Sequence, residues 1–236
     1  MRDVKSAEDR KLEIMAVASG LFAAKGYDHT SISDILEKVG IAKGTLYYHY
    51  KSKEEILDGL IEHYGANAID VAKRIAEDKT IPVIERVLKI ILAANMRTGE
   101  HEGGAGKEVI AQIQKPQNVL MRQKTKKFTV KAMAPIITGV LAEGMAQGVF
   151  HTEYLAESVE MILIYAANVF DDNITELTQT ALEGRGVALI YNMERLLGAE
   201  AGSLRELSQI FHQGHGPKGD RSQSLEISEN PEDAGE

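Results

Sequence analysis

Two short apolar-periodic segments on either side of Gly40 constrain this chain more than any other feature. The first runs Ser31-Ile32-Ser33-Asp34-Ile35-Leu36 to Val39, and the second runs Ala42-Lys43-Gly44-Thr45-Leu46-Tyr47-Tyr48-His49-Tyr50. Ile32, Ile35, Leu36 and Val39 recur at the three- and four-residue spacing of an amphipathic helix. Ser31 can cap the first-turn amides, and Asp34, three places on, completes an acidic capping box. Gly40 supplies the left-handed residue of a sharp turn. In the second segment Leu46 and Tyr50, four apart, share the face that must be buried. Lys43, Thr45, Tyr48 and His49 are left outside, and Tyr47 lies between the two faces. Residues 9–25 add a third amphipathic helix through Ile14, Met15, Ala18, Leu21 and Phe22, closed by Lys25-Gly26.

The rest of the chain also reads as helix, with no strand pattern and no internal repeat. Ser52 and Glu55 form a second capping box that starts a long helix, carried by Ile56, Leu57, Leu60, Ile61 and Tyr64 to about Asp78. Pro82 suits a first turn, and Val83, Val87, Ile90, Ile91 and Ala94 make the next apolar stripe, ending near Arg97. Glycines 99, 103, 104 and 106 mark a loop over 98–107, followed by a short helix over 108–114. A helix over 117–147 is expected to kink or break at Pro135, with Gly148 closing it and Val149-Phe150 packing behind. Two long helices follow, over 153–172 (the most apolar) and 175–197, then a short amphipathic one over 203–211. The Gly-, Ser-, Pro- and acid-rich remainder reads as disordered. The expected fold is all-α. It comprises an N-terminal helix-turn-helix domain of three helices (1–60), a larger helical bundle for ligand binding and dimerisation (61–212), and an acidic tail (213–236).

Charge locates the chemistry. The net charge is −8, yet residues 38–53 hold Lys38, Lys43, Lys51 and Lys53 and no acid. The tail from Asp220 carries six acids against Arg221 and supplies over half of the net negative charge. Screening confines charge effects to about 8–10 Å at physiological salt, so an acidic chain can still present a basic face to DNA. Cysteine is absent, which excludes disulfides and thiolate metal sites. The N-terminus has no apolar signal core, and the longest apolar stretch, residues 161–169, is too short to span a bilayer. A cytoplasmic protein with no membrane partner is expected. No paired carboxylates, Ser/His/Asp arrangement or phosphate loop marks an enzyme. The histidines show no metal-ligand spacing, so neither metal nor cofactor is expected.

Residues 9–60 resemble the DNA-binding domain of the TetR family of bacterial transcriptional regulators. The matched positions are Leu21-Phe22, Gly26-Tyr27, Thr30-Ser31-Ile32, Ile35, Val39-Gly40-Ile41, Lys43-Gly44-Thr45-Leu46-Tyr47-Tyr48-His49-Tyr50 and Lys53. The resemblance implies that the helix from about Ala42 to Tyr50 enters the major groove. The residue chemistry agrees. Lys43 can reach a base edge or a phosphate. Gly44 lets the backbone approach DNA, and Thr45 offers a hydroxyl and a methyl. Tyr47, Tyr48 and His49 can donate to phosphates. Lys53, with the amides that open the fourth helix, makes a phosphate site, and Ser33 is a lesser candidate. Most such contacts position the protein rather than read sequence. Where the family often has Ser or Thr, this chain has Ala42, which removes a hydroxyl from the start of the recognition helix.

The resemblance also implies an effector pocket in the middle bundle and a homodimer built from the last two long helices. Polar side chains within apolar runs are the pocket candidates: Asn95, Met96, Gln112, Tyr165 and Asn168. A second basic run (Lys115, Arg122, Lys124, Lys126, Lys127, Lys131) reads as a solvated face, with an anionic ligand as the sharper alternative. The expected function is that of a sequence-specific regulator, a repressor. It would bind a palindromic double-stranded operator as a homodimer and be released by a small-molecule effector, with the fourth helix transmitting the signal. The alternative is a DNA-binding dimer controlled by a protein partner, with no small-molecule effector.

Overall fold

The computed structural model describes residues 6–95, 115, 118–169 and 178–208. The described elements are all helical: α1 (Ala7–Lys25), α2 (Ile32–Val39), α3 (Lys43–His49), α4 (Lys53–Glu77), α5 (Val83–Asn95), α6 (Val119–Ala146), α7 (Leu155–Val169), α8 (Gln179–Leu196) and a 3-10 turn (Arg205–Ser208). The loop expected over 98–107, the helix over 108–114 and the tail lie outside the described residues.

Local chemistry accounts for most boundaries. Helix α1 begins at Ala7, two residues before its expected start at residue 9, because the Ser6 hydroxyl accepts from the Asp9 amide at 3.1 Å. The capping box of α2 is complete: Ser31 Oγ accepts from Asp34 N, and Ser31 N donates back to Asp34 Oδ2 at 2.7 Å. Gly40 has φ 74° and ψ 38°, the expected left-handed cap. At α4 the box is only half formed. Ser52 Oγ takes the Glu55 amide at 3.0 Å, but the Glu55 carboxylate accepts from Lys51 N, one residue before the cap.

Pro135 does not break α6, which runs unbroken from Val119 to Ala146. The proline removes one backbone donor, but the turns on both sides of it are buried: Met133, Ala134 and Ile137 all lie in the core. By length and composition α6 is the one helix among the described residues that could cross a bilayer. It packs instead against α4, α5 and α7. The helix expected over 203–211 forms only a 3-10 turn within its described part, although Leu204 and Leu207 are buried as its apolar stripe requires.

Two hydrophobic cores result. One, the head, gathers Ile14, Ala18, Phe22, Ile35, Leu46, Tyr50, Ile56, Leu57 and Leu60 from α1–α4. The other, the bundle, gathers residues from Ala72 to Leu207 across α4–α8 and the 3-10 turn. The head does not stop at residue 60. Ile61 and Tyr64 belong to its core, and α6 contributes the buried Met121 and the partly buried Phe128. Gly65 makes room for Phe128, since a Cβ there would sit 2.4 Å from its ring. Asn118 Oδ1, just before α6, accepts from the Tyr27 amide at 3.3 Å. Lys124 reaches back to Glu54 and Asp58 of α4 at 2.7 Å each. These hydrogen bonds to Asp58 and then Glu54 raise the pKa of the Lys124 ammonium. At the far end of α4, the buried Arg86 donates to Ala76 O at 2.8 Å and to Glu143 at 2.7 Å, locking α4, α5 and α6 together.

Candidate nucleic-acid interface and effector cavity

Helix α3 turns its two large apolar side chains inward and its polar ones outward, as the spacing requires. Leu46 and Tyr50 are buried. Burial pushes the Tyr50 hydroxyl up to about 12. Lys43, Gly44, Thr45 and Tyr48 are exposed, while Tyr47 and His49 are half-buried. Tyr48 is 74 % exposed and its ring meets His49 edge-on at 5.0 Å, so the two rings form one projecting unit. Lys43 Nζ lies 5.8 Å from the centre of the Tyr47 ring. Lys51 Nζ donates to Tyr47 O at 3.0 Å and so finishes the C-terminus of α3. No side chain caps its N-terminus at Ala42.

Gly44 is informative because the fold does not need it. It has no positive φ, and a Cβ built on it meets nothing within 4 Å. Gly44 sits in the first turn of α3, where glycine is a poorer helix former than alanine, and no internal contact here offsets that. Close approach by an external partner is the remaining physical use for the missing side chain.

Lys53 stands differently from its sequence reading as a phosphate ligand. Its ammonium donates to Tyr27 O at 2.7 Å and Thr30 O at 2.9 Å and sits 4.1 Å from the centre of the Tyr27 ring. Desolvation lowers its pKa. Two of its three donors thus staple the turn between α1 and α2 onto the start of α4. Ser33 lies exposed in the first turn of α2. Asp34, beside it, is tied to Lys25 at 2.7 Å, and this bond, more than the Ser31 cap, holds its carboxyl far below the ordinary range.

Two of the five expected effector residues have described side chains. Tyr165 and Asn168 are exposed on α7, with Asn168 bonded to Ile164 O at 2.7 Å and to Lys126 at 3.4 Å. Asn95 ends α5, where its side chain is not described, and Met96 and Gln112 lie outside the described residues. The bundle instead holds a cavity of about 20 Å³ among α5, α6, α7, α8 and the 3-10 turn. Its thirteen described lining residues are all apolar, among them Val87, Ile137, Phe150, Val159, Met193 and Leu207. Sequence reasoning looked for polar groups in apolar runs. The cavity is built from the apolar runs themselves, so only side-chain direction could have found it. The second basic run also divides: Lys124 is committed to α4, while Lys127 and Lys131 are exposed.

A short helix held on a three-helix core, with cations, hydroxyls and aromatic rings projecting from it, defines a helix-turn-helix DNA-binding protein. The family described as "Bacterial regulatory proteins, tetR family" matches residues 14–60, and "Tetracyclin repressor-like, C-terminal domain" matches residues 104–189. The chain belongs to the TetR family of transcriptional regulators. It is 26 % identical over 146 residues (61 % of this chain, 73 % of the relative) to the fatty acid metabolism regulator protein of Bacillus subtilis. It is 32 % identical over 85 residues to the transcriptional repressor KstR2 of Mycobacterium tuberculosis, covering 36 % of this chain and 42 % of that one. Against IcaR of Staphylococcus epidermidis, a negative transcriptional regulator of a biofilm operon, identity is 43 % over 68 residues (29 % of this chain, 37 % of the relative). The chain thus spans less than half the length of KstR2 and IcaR. Among solved structures, RolR in complex with resorcinol superposes with a TM-score of 0.56 at 19 % identity, covering 86 % of this chain and 94 % of that one. FadR of Bacillus halodurans, a fatty acid degradation regulator, gives 0.53 at 18 % identity, covering 90 % and 98 %. Both show the same fold.

Proposed function

We propose that this regulator is a repressor that binds a palindromic operator as a homodimer and is released by a small-molecule effector. The observation that carries the DNA reading is the outer face of α3. Lys43, Thr45, Tyr48 and His49 project from it, and Gly44 is bare for no internal reason. Tyr47, half-buried, contributes its hydroxyl edge, and Ser33 supports from α2. Lys53 acts by holding the turn that sets α2 against α4.

The dimer reading rests on α7 and α8. Met161, Ile164 and Tyr165 on α7, and Val187 and Tyr191 on α8, are exposed although large and apolar. Pairing these two helices with a second copy makes a four-helix interface with twofold symmetry. It would set two recognition helices about 34–36 Å apart, one turn of DNA. The repressor sign is carried over from KstR2 and IcaR. The effector reading is supported by RolR, whose solved complex contains resorcinol. Because α6 supplies both head core and bundle core, it joins α4 as a route between the two.

The test is titration of the protein into its own upstream intergenic DNA against scrambled competitor, at two salt concentrations, with Tyr48→Ala and Gly44→Ala. Tyr48→Ala should cost about 1–2 kcal/mol of DNA affinity, roughly 5–30-fold. Its thermal stability should not change, because the ring is exposed. Gly44→Ala should weaken DNA binding while slightly raising stability. Unaltered DNA affinity in both variants would remove α3 from the interface. A protein partner in place of a small molecule is the second reading, and one observation favours it: the apolar cavity among the described residues leaves only about 20 Å³ of space.

A further inference from the structure

We propose that residues 203–208 form a removable plug. An amphiphile with a straight hydrocarbon chain and a neutral hydrogen-bond-donating end displaces it to occupy the cavity. This rests on reading the chain as an effector-controlled regulator, and it names the effector's chemistry and its route of entry.

The cavity wall comes first. The described lining residues offer no polar group, so hydrocarbon is the only ligand chemistry they can recognise. A void of about 20 Å³ is near the size of one water and apolar, so it stays dry and admits nothing larger as it stands. Part of the wall must therefore move. Most of the wall belongs to α5–α8, whose side chains interlock over several turns. Apart from Phe150, on the loop between α6 and α7, and Leu197, just past α8, the exceptions are Leu204 and Leu207, which stand on a segment whose only regular element is the four-residue 3-10 turn. Their aliphatic side chains fill the space that a ligand chain would fill.

The attachment of this segment is slight on one side and firm on the other. Gly198 cannot yield: it has φ 60°, and a Cβ there would sit 2.0 Å from His151 O, so the chain leaves α8 along one path. Gly202 has φ 84°, a left-handed turn residue, and a Cβ built on it meets only the end of the Arg205 side chain at 3.5 Å, so no packed backbone abuts the chain there. Beyond it, one side-chain bond ties the segment to α8, where the Glu194 carboxylate accepts from Leu204 N at 3.0 Å. Ser203 Oγ is buried without a partner, a polar atom that gains by opening to water.

Glu194 also selects the ligand's polar end. Its buried carboxylate is not part of the cavity wall, but it accepts from Leu204 N, so displacing the plug removes the amide that satisfies it and opens the space next to it. A hydroxyl donor restores that bond, whereas a carboxylate would face a second carboxylate. An alcohol is therefore favoured over the fatty acid of equal length. The cavity residues Ile137 and Leu141 lie roughly 24 and 30 Å along α6 from Met121 in the head, at 1.5 Å per residue. A ligand there would act on the same helix that docks on the head.

The experiment uses the full chain, which contains no tryptophan. Ser208→Trp places a single fluorophore at the end of the plug itself. 1-Octanol and sodium octanoate are the probes, read by fluorescence and, on the unaltered chain, by calorimetry. Octanol should bind saturably, shift the Ser208→Trp emission to the red, and bind at least tenfold more tightly than octanoate. Adding Leu207→Ala should tighten octanol binding about five- to tenfold, because a weaker plug leaves the open state more populated. Glu194→Gln should narrow the gap between the two probes. Absence of saturable octanol binding overturns the proposal. So do equal affinities for the two probes, or binding that ignores Leu207→Ala in a variant whose circular dichroism is native. Operator release is scored separately. Octanol binding by a protein that binds no DNA sinks the regulator reading and keeps the plug. Release by another effector with a silent Ser208→Trp signal does the reverse.

Discussion

The head and the outer helices of the bundle expose opposite kinds of side chain. Among the described residues of α1–α4, the large apolar or aromatic side chains left exposed are Leu12 and Tyr48, and Tyr48 carries a hydroxyl. Among the described residues of α7 and α8 they are Met161, Ile164, Tyr165, Val187, Tyr191 and Leu196, mostly aliphatic or ring surface. A protein that exposes hydroxyls, rings and cations from a short helix is arranged for a polyanion. One that leaves an aliphatic face uncovered across two adjacent helices is arranged for another apolar surface. The difference shows which partner each region is built to meet, before either partner is seen.

The sharpest way to break the comparison is to charge the aliphatic face. Met161→Glu combined with Val187→Glu should cost about 3–5 kcal/mol of self-association, the penalty of burying unpaired charge. Sedimentation equilibrium should then find a monomer whose helical content is unchanged and whose operator affinity falls. An unchanged dimer would place the interface elsewhere.

Next come two glycines with similar dihedrals and different surroundings. Gly198→Ala, in the bundle, should cost about 3 kcal/mol, since strained backbone and a blocked Cβ act together. At roughly 2–4 °C per kcal/mol for a chain of this size, the melting temperature should fall by about 6–12 °C. Gly40→Ala, in the head, meets nothing within 4 Å and should cost only about 1–2 kcal/mol, the left-handed penalty alone. Equal losses would show that contact with His151 O is not what holds Gly198.

Smaller again is the seam between the two regions. Lys124→Met removes both ion pairs to α4 and should cost about 1 kcal/mol, because Glu54 and Asp58 remain solvated. Hydrogen exchange should quicken in the first turns of α4 and α6 and not in α8. Uniform quickening would mean that head and bundle unfold as one unit.

Acid should affect both regions, and least per site. Asp34 is held low by its bond to Lys25, and Glu143 is held low first by Arg86 and then by Lys79. A depressed carboxyl contributes stability that is full above its unfolded pKa and is lost as pH falls through the folded one. Stability should therefore begin to fall below about pH 4–4.5, the ordinary carboxyl range. Asp34→Asn should flatten that acid slope in the head and Glu143→Gln in the bundle, as followed by denaturation across pH. A slope untouched by either variant would remove these carboxylates as its source.

The head was legible to a degree the bundle was not. Its signals are local: Ser31 with Asp34, Gly40, and Leu46 four before Tyr50 all act within one turn of the chain. Among the described pocket candidates, Tyr165 and Asn168 face out, since a polar residue in an apolar run carries no signal of which way it points. Lys53 looked like a phosphate ligand because sequence cannot show that the Tyr27 and Thr30 carbonyls converge on its ammonium. Asn118 and Met121 gave no signal, and Lys124 read only as part of a basic run, since the partners of Asn118 and Lys124 lie 91 and 66–70 positions away and Met121 joins a core otherwise built mostly from α1–α4.

By itself the sequence determined the helices, their caps and the outward chemistry of α3. Those depend on residue type and on spacing of one to four positions, where backbone hydrogen bonds and side-chain periodicity decide. Only the tertiary structure decided that α6 completes the head, that Pro135 sits inside an unbroken helix, and that thirteen described apolar side chains line one small cavity. These are outcomes of packing between residues far apart in the chain. Which distant side chains meet is settled by the geometry of whole helices, and no local pattern encodes it.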